Sequence, residues 1–175
     1  MPLSEAAAVA QNLSFFTAIR ESALAYPVIL ASHLSGIAMF GGTIVITDLR
    51  LLSLIMTDQP ASEVIAELRP WKRAGFVLMA ASGVLLAGAK AAMYAGNPYF
   101  LLKLGLLLMV GAHARLFRRG VYRNATLASV NRPLPGAARL AACFSLALWL
   151  GIVSAGRLIA YYEPAPGAIT VSTQR

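Results

Sequence analysis

From Pro27 to Thr47 the chain runs for about 20 residues without an Asp, Glu, Lys or Arg. At 1.5 Å per residue a helix of that length covers the ~30 Å hydrocarbon core of a bilayer. Pro27 suits the first turn of a helix, where a missing N–H leaves nothing unsatisfied. Asp48 and Arg50 mark the polar end of the run. One histidine, His33, lies within it among small residues, and any account of function has to explain that histidine.

The rest of the chain has the same character. It has 175 residues, of which 58% are hydrophobic and 13% charged, with a mean hydropathy of +0.68. A soluble domain carries about a quarter charged residues, so this chain lacks the surface chemistry of a water-exposed fold. Three further spans follow, at about 74–95, 99–117 and 138–161. Gly96-Asn97-Pro98 is a tight turn, so the third span follows at once and runs antiparallel to the second. Two amphipathic stretches complete the pattern, at about 4–22 and 60–69. In the first, Leu13, Phe16 and Ile19 recur at helical spacing in a segment too short to span, as in a helix lying at the membrane surface. The second is expected to end near Pro70, with Trp71, Lys72 and Arg73 as an interfacial anchor. The fold class is therefore all-α and integral to a membrane: one domain, an up-down four-helix transmembrane bundle with short interfacial helices.

The net charge of +8 does not imply nucleic acid, because the arginines cluster beside the apolar spans. Ten Lys and Arg fall in or beside the loops after the first and third spans, and five on the other side. The positive-inside rule then puts both long loops in the cytoplasm and both termini outside. The N-terminus lacks a basic segment followed by an apolar core, so no cleavable secretory signal is expected and the first span serves for insertion. The lone Cys143 has no partner for an intrachain disulfide and is read as a small buried hydrophobe.

Ionisable groups at membrane depth are rare and usually face a bundle interior. Here they are His33, Lys90, Lys103, His113 and Arg157. A neutral imidazole ligates iron well, and b-type haems are commonly held between helices. His33 and His113 are the candidate ligands. Gly36, with Gly41 on broadly the same face, offers room for a flat macrocycle, and Gly105 and Gly111 thin the third span near His113. The depths of the two histidines, about 9 Å and 21 Å from the outer ends of their spans, differ by roughly 12 Å. Pairing on one iron is therefore not required; either could pair with a methionine such as Met109, or serve alone. The bland alternative is two histidines hydrogen-bonded to backbone carbonyls. Lys103 and Arg157 share a depth with His33 and suit an anion, such as a haem propionate or a quinone oxygen; snorkelling to the headgroups is their alternative. Lys90 is read as snorkelling, and Asp48 with Arg50 as structural anchoring at a helix end. The small residues Gly151, Ser154, Ala155 and Gly156 read as a helix contact face.

HLSGIAMFGGTIVITDLRLL and NPYFLLKLGLLLMVGAHARLF, with the AYPVILASHLSG entry and the GRLIAYY exit, resemble an uncharacterised family of bacterial four-span membrane proteins over about residues 13–162. A histidine early in the first span, an Arg-Leu at its end, and Lys and His ten residues apart in the third span are also similar to the haem-binding HemJ-type protoporphyrinogen oxidases and to CopD-like copper-resistance membrane domains. That likeness implies His33 as a haem ligand, Lys103 as a site residue and His113 as the later histidine. The chain has Leu101-Leu102-Lys103 where the oxidases carry a Trp-Leu-Lys signature, so their substrate does not transfer.

These observations lead to an expected haem b-binding redox protein of the bacterial inner membrane, exchanging electrons with a quinone or a membrane partner. The alternative is a cofactor-free accessory subunit of a larger membrane complex. A third reading is metal or small-solute transport, with copper suited to His and Met ligands.

Overall fold

The computed structural model describes residues 3–120, 130 and 134–162. It is all-helical, and four of its helices are long and apolar enough to cross a membrane. In chain order the helices are α1 (Leu3–Gln11), α2 (Ser14–Glu21), α3 (Ala25–Leu51), α4 (Ala61–Ala89), α5 (Ala91–Ala95), α6 (Pro98–Gly120) and α7 (Gly136–Leu158), with a 3₁₀ turn at Ile159–Tyr161. The spanning helices are α3, α4, α6 and α7, so the expected bundle is present.

Boundaries differ from the sequence reading at four places. The N-terminal stretch is two helices, not one: Leu13 adopts extended backbone between them, and α2 turns Ile19 into the fold, where it is 8% exposed. Pro70 does not end a helix; it lies inside the 29-residue α4. The missing N–H frees one carbonyl, but packing along α3 holds both turns in line, as neighbouring helices do for membrane prolines. The second span also stops earlier, at Ala89, where Lys90 leaves helical backbone before the short α5. Finally, α3 extends through Leu51, so Asp48 and Arg50 are inside the helix and buried.

In a membrane the lipid is as apolar as the side chains, so helices associate through close packing rather than through the hydrophobic effect. The α3–α4 pair shows how. Antiparallel register places Gly36 opposite Met79 and Gly75 opposite Phe40. A Cβ on Gly36 would stand 2.6 Å from the Met79 amide nitrogen, and one on Gly75 would stand 2.7 Å from that of Phe40. The two backbones touch because neither position has a side chain. The Trp149 indole lies over Gly41 in the same way and brings α7 against α3. Phe40 meets Trp149 edge-on at 5.6 Å between ring centroids. Met79, Trp149 and Ile152 form the middle of the core, with Leu106, Leu107 and Val110 of α6 packed against them.

α6 packs on α7. Gly151 and Gly156 of α7 face Leu106 and Lys103 of α6, as expected of a contact face, whereas Ser154 of the same small-residue set is exposed. Among the described residues, no α carbon of α6 comes within 8 Å of one in α3 or α4. Side chains, not backbones, fill that interval: Leu106, Leu107 and Val110 of α6 pack toward Met79 of α4, while the backbone of α6 approaches that of α7. Gly105 and Gly111 meet nothing within 4 Å, so they do not mark a close approach. Cys143 is exposed on the outer face of α7, not buried: its neighbours Ala141 and Ala142 turn into the bundle, and hydropathy alone cannot tell the lipid-facing side of the run from the core side.

Polar side chains lock the two ends of the bundle. Asn97, 2% exposed, accepts from the amides of Tyr99 at 3.0 Å and Phe100 at 3.3 Å through Oδ1, and donates through Nδ2 to the Ile159 carbonyl at 3.2 Å. It caps the start of α6 and ties it to the end of α7. Arg20 donates to the carbonyls of Gln11 and Ala89, and the Ala92 amide donates to Gln11 Oε1, so α1 and α2 are bolted to the same end. At the opposite end the buried Arg50 donates to the Gln59 carbonyl from Nε at 3.2 Å and Nη2 at 2.6 Å. That clamp closes the turn between α3 and α4, where Ser53 and Met56 hold positive φ.

Candidate functional site

The polar residues at membrane depth fall into two groups, one on each side of the Trp149 layer.

The first group is built around His33. Its Nδ1 stands 2.9 Å from the Met79 carbonyl oxygen and 3.2 Å from Ser82 Oγ, both on α4. A carbonyl oxygen can only accept, so Nδ1 carries the proton and the lone pair is on Nε2. Ser82 Oγ is itself anchored, donating to the Leu78 carbonyl. The ring lies against Gly83, where a Cβ would come 3.0 Å from Cε1. The imidazole is therefore fixed in tautomer and plane by α4, through a helix pairing that Gly36 and Gly75 make possible. Gly36 itself abuts the Met79 backbone and offers no open recess: its missing side chain is used by the helix crossing.

Lys103 faces this site from α6. Its Nζ lies 3.6 Å from the position of a Cβ on Gly156. Arg157 does not join it. Its Nη2 donates to Tyr161 Oη at 2.6 Å, and the guanidinium lies 5.0 Å from that ring's centroid. The sequence places Lys103 and Arg157 at one depth; the structure turns them to different faces of α7. Lys90 sits over the Tyr26 ring at 4.5 Å, a cation–π contact in place of free snorkelling. Burial, and then the Tyr26 hydroxyl beside it, pushes the Tyr94 phenol up to about 12.

The second group is built around Asp48. It lines a cavity of about 140 Å³ with Thr47, Lys72, His113 and Ser145, among apolar side chains that include Phe40 and Phe117. Thr47 Oγ1 donates to the Thr43 carbonyl at 2.7 Å and accepts from Lys72 Nζ at 3.4 Å. Asp48 is 6% exposed, and its Oδ2 has no hydrogen-bond partner. His113 lies between Phe117, tilted at 5.0 Å, and Phe144, edge-on at 5.1 Å between centroids.

The two histidines are thus not brought together. His33 shares its level with Lys103, and His113 lies ten residues, about 15 Å, further along α6. They cannot be the two axial ligands of one iron in this arrangement. The sequence reading treats Asp48 as a helix-end anchor and gives Lys72 to the interface. It misses the cavity, because the residues that form it come from four helices and share no local motif. One signal was available: Asp48 is the sole acidic residue of the first span, at a point where α3 has no structural need to stop. Among the described residues no three His, Cys, Asp or Glu side chains converge as a metal site would require.

Comparison with known proteins adds a family but no chemistry. No curated protein and no solved structure matches the chain. A family model described as a family of unknown function, DUF6644, matches residues 14–162, from the start of α2 to the end of the last turn, and the chain belongs to that family.

Proposed function

We propose that the chain is a haem b-binding redox protein of the bacterial inner membrane, with His33 as an axial ligand. The observation that carries this reading is the hydrogen bond from His33 Nδ1 to the Met79 carbonyl at 2.9 Å. Ligating histidines almost always donate their other ring N–H to a carbonyl or carboxylate, which fixes ring orientation and raises ligand basicity. Here that donation leaves Nε2 as the ligating atom. Lys103 supplies a cation at the same level, suited to a propionate. Haem b supplies one-electron chemistry when bound, and the exchange partner is a quinone or a membrane subunit. The likeness to HemJ-type and CopD-like domains supports the roles of His33 and Lys103. The Lys and Arg distribution supports loops in the cytoplasm and termini outside. Reduced-minus-oxidised spectra of the protein purified in mild detergent test the reading. A b-type band is expected in the wild type and in His113→Ala, and its loss in His33→Ala. A colourless wild type, or a band that survives in His33→Ala, overturns it.

A second reading, a cofactor-free accessory subunit, draws on Gly105 and Gly111, two positions of α6 that no other described residue covers. A colourless protein that migrates within a larger assembly on native gels, and is released from it by Gly111→Leu, would favour this reading.

A further inference from the structure

The Asp48 cavity belongs to neither reading. It lies 15 residues, about 22 Å, along α3 from His33, on the other side of the Trp149 layer. A buried carboxylate oxygen without a donor is costly, and the great majority of buried polar atoms are satisfied, by water where protein does not suffice. The cavity that Asp48 lines has room for several water molecules. Four elements bring polar groups to it: Thr47 and Asp48 from α3, Lys72 from α4, His113 from α6 and Ser145 from α7. Arg50 is held elsewhere, on the Gln59 carbonyl. A metal ion is a poor occupant, because the Lys72 ammonium stands in the same space and Asp48 is the sole carboxylate. A proton needs only one carboxyl, water, and a neighbouring cation to keep the ionised form accessible. Intramembrane carboxylates in such company mark proton relays.

We propose that this cavity is a hydrated proton-exchange site in which Asp48 is the carrier. The Asp48 carboxylate takes one proton from a hydronium ion, leaving water, and returns it to water in the reverse step. Lys72 balances the charge of the ionised state, Ser145 donates to the Asp48 carboxylate, and His113 lines the water-filled space. No electron moves, and the step does not depend on haem.

Dicyclohexylcarbodiimide, a lipid-soluble reagent that adds to protonated carboxyls, provides the test. The full chain in detergent is treated across a pH series and mapped by peptide mass spectrometry. An adduct on Asp48 is expected, falling as pH rises, and in Lys72→Met it persists to higher pH because the ionised form has lost its cation. Exposed Asp58 and Glu67 report reagent activity in the same sample. The absence of an adduct on Asp48 at every pH, while those sites react, overturns the proposal; so does a pH profile unchanged in Lys72→Met. Infrared spectra give a reading without the reagent. The protonated-carboxyl stretch should shift on transfer to D₂O and disappear in Asp48→Asn, with the helical amide band unchanged. A band that survives Asp48→Asn also overturns the assignment.

Discussion

His33 reaches across the α3–α4 crossing to the Met79 carbonyl, 2.9 Å away, and Gly36, three residues later, abuts the backbone of that same Met79. The imidazole and the glycine are therefore one device. The missing side chain lets the helices touch, and the touch brings a main-chain acceptor within reach of Nδ1.

The second acceptor in that device is Ser82. Ser82→Ala removes the hydroxyl 3.2 Å from Nδ1 and leaves the Met79 carbonyl. If His33 ligates haem, the affinity for haem should fall by about tenfold or more, the range seen when an outer partner of a ligating histidine is lost. Haem titration followed by absorbance measures it. Fold and expression should be unaffected, since the serine is small and Leu78 loses only a secondary contact.

Gly36→Leu should be among the most damaging single changes. Its Cβ alone would sit 2.6 Å from a backbone nitrogen, and a helix cannot give way as a side-chain tip can. Forced overpacking costs about 1–3 kcal/mol or more. Thermal unfolding in detergent should show a clear drop. The same substitution at Gly105, which meets nothing within 4 Å, should leave the melting temperature of the isolated chain nearly unchanged.

Asn97→Ala tests the other end of the bundle. The change removes the cap of α6 and the donor to the Ile159 carbonyl. Loss of a cap costs about 1 kcal/mol, and an orphaned buried group about 1–3 kcal/mol. Hydrogen exchange should accelerate at the amides of Tyr99 and Phe100, while amides in the middle of α3 stay protected.

Tyr94 gives a pH signature. Its folded-state pKa is pushed up to about 12, against about 10 in an unfolded chain. Between those values the unfolded phenol loses its proton and the folded one keeps it. Stability is therefore intact below about pH 10 and declines as pH rises toward 12, the direction set by linkage. Ultraviolet titration of the folded protein should show a phenolate that appears later than the others, and Tyr94→Phe should remove it. The same variant should flatten the alkaline loss of stability.

How much of this could be read from the chain follows from what each feature depends on. Length and hydropathy are local, and they alone determined four spanning helices, the antiparallel turn at Asn97-Pro98 and a histidine at membrane depth in the first. Local signals failed where packing overrode them. Pro70 reads as a stop, yet α4 runs through it because α3 supports both turns. Cys143 reads as core, yet it faces outward, because in a membrane both directions are apolar. Depth along a helix is legible at 1.5 Å per residue, which is why the mismatch between His33 and His113 could be foreseen. Direction around a helix is not, which is why Lys103 and Arg157 part company. Only the tertiary structure decided that Gly36 serves a helix crossing and not an open recess, and that Asp48, Lys72, His113 and Ser145 share one cavity. Those four residues span nearly a hundred positions of sequence. No periodicity joins them, and they meet only because close-packed helices bring distant turns to the same level.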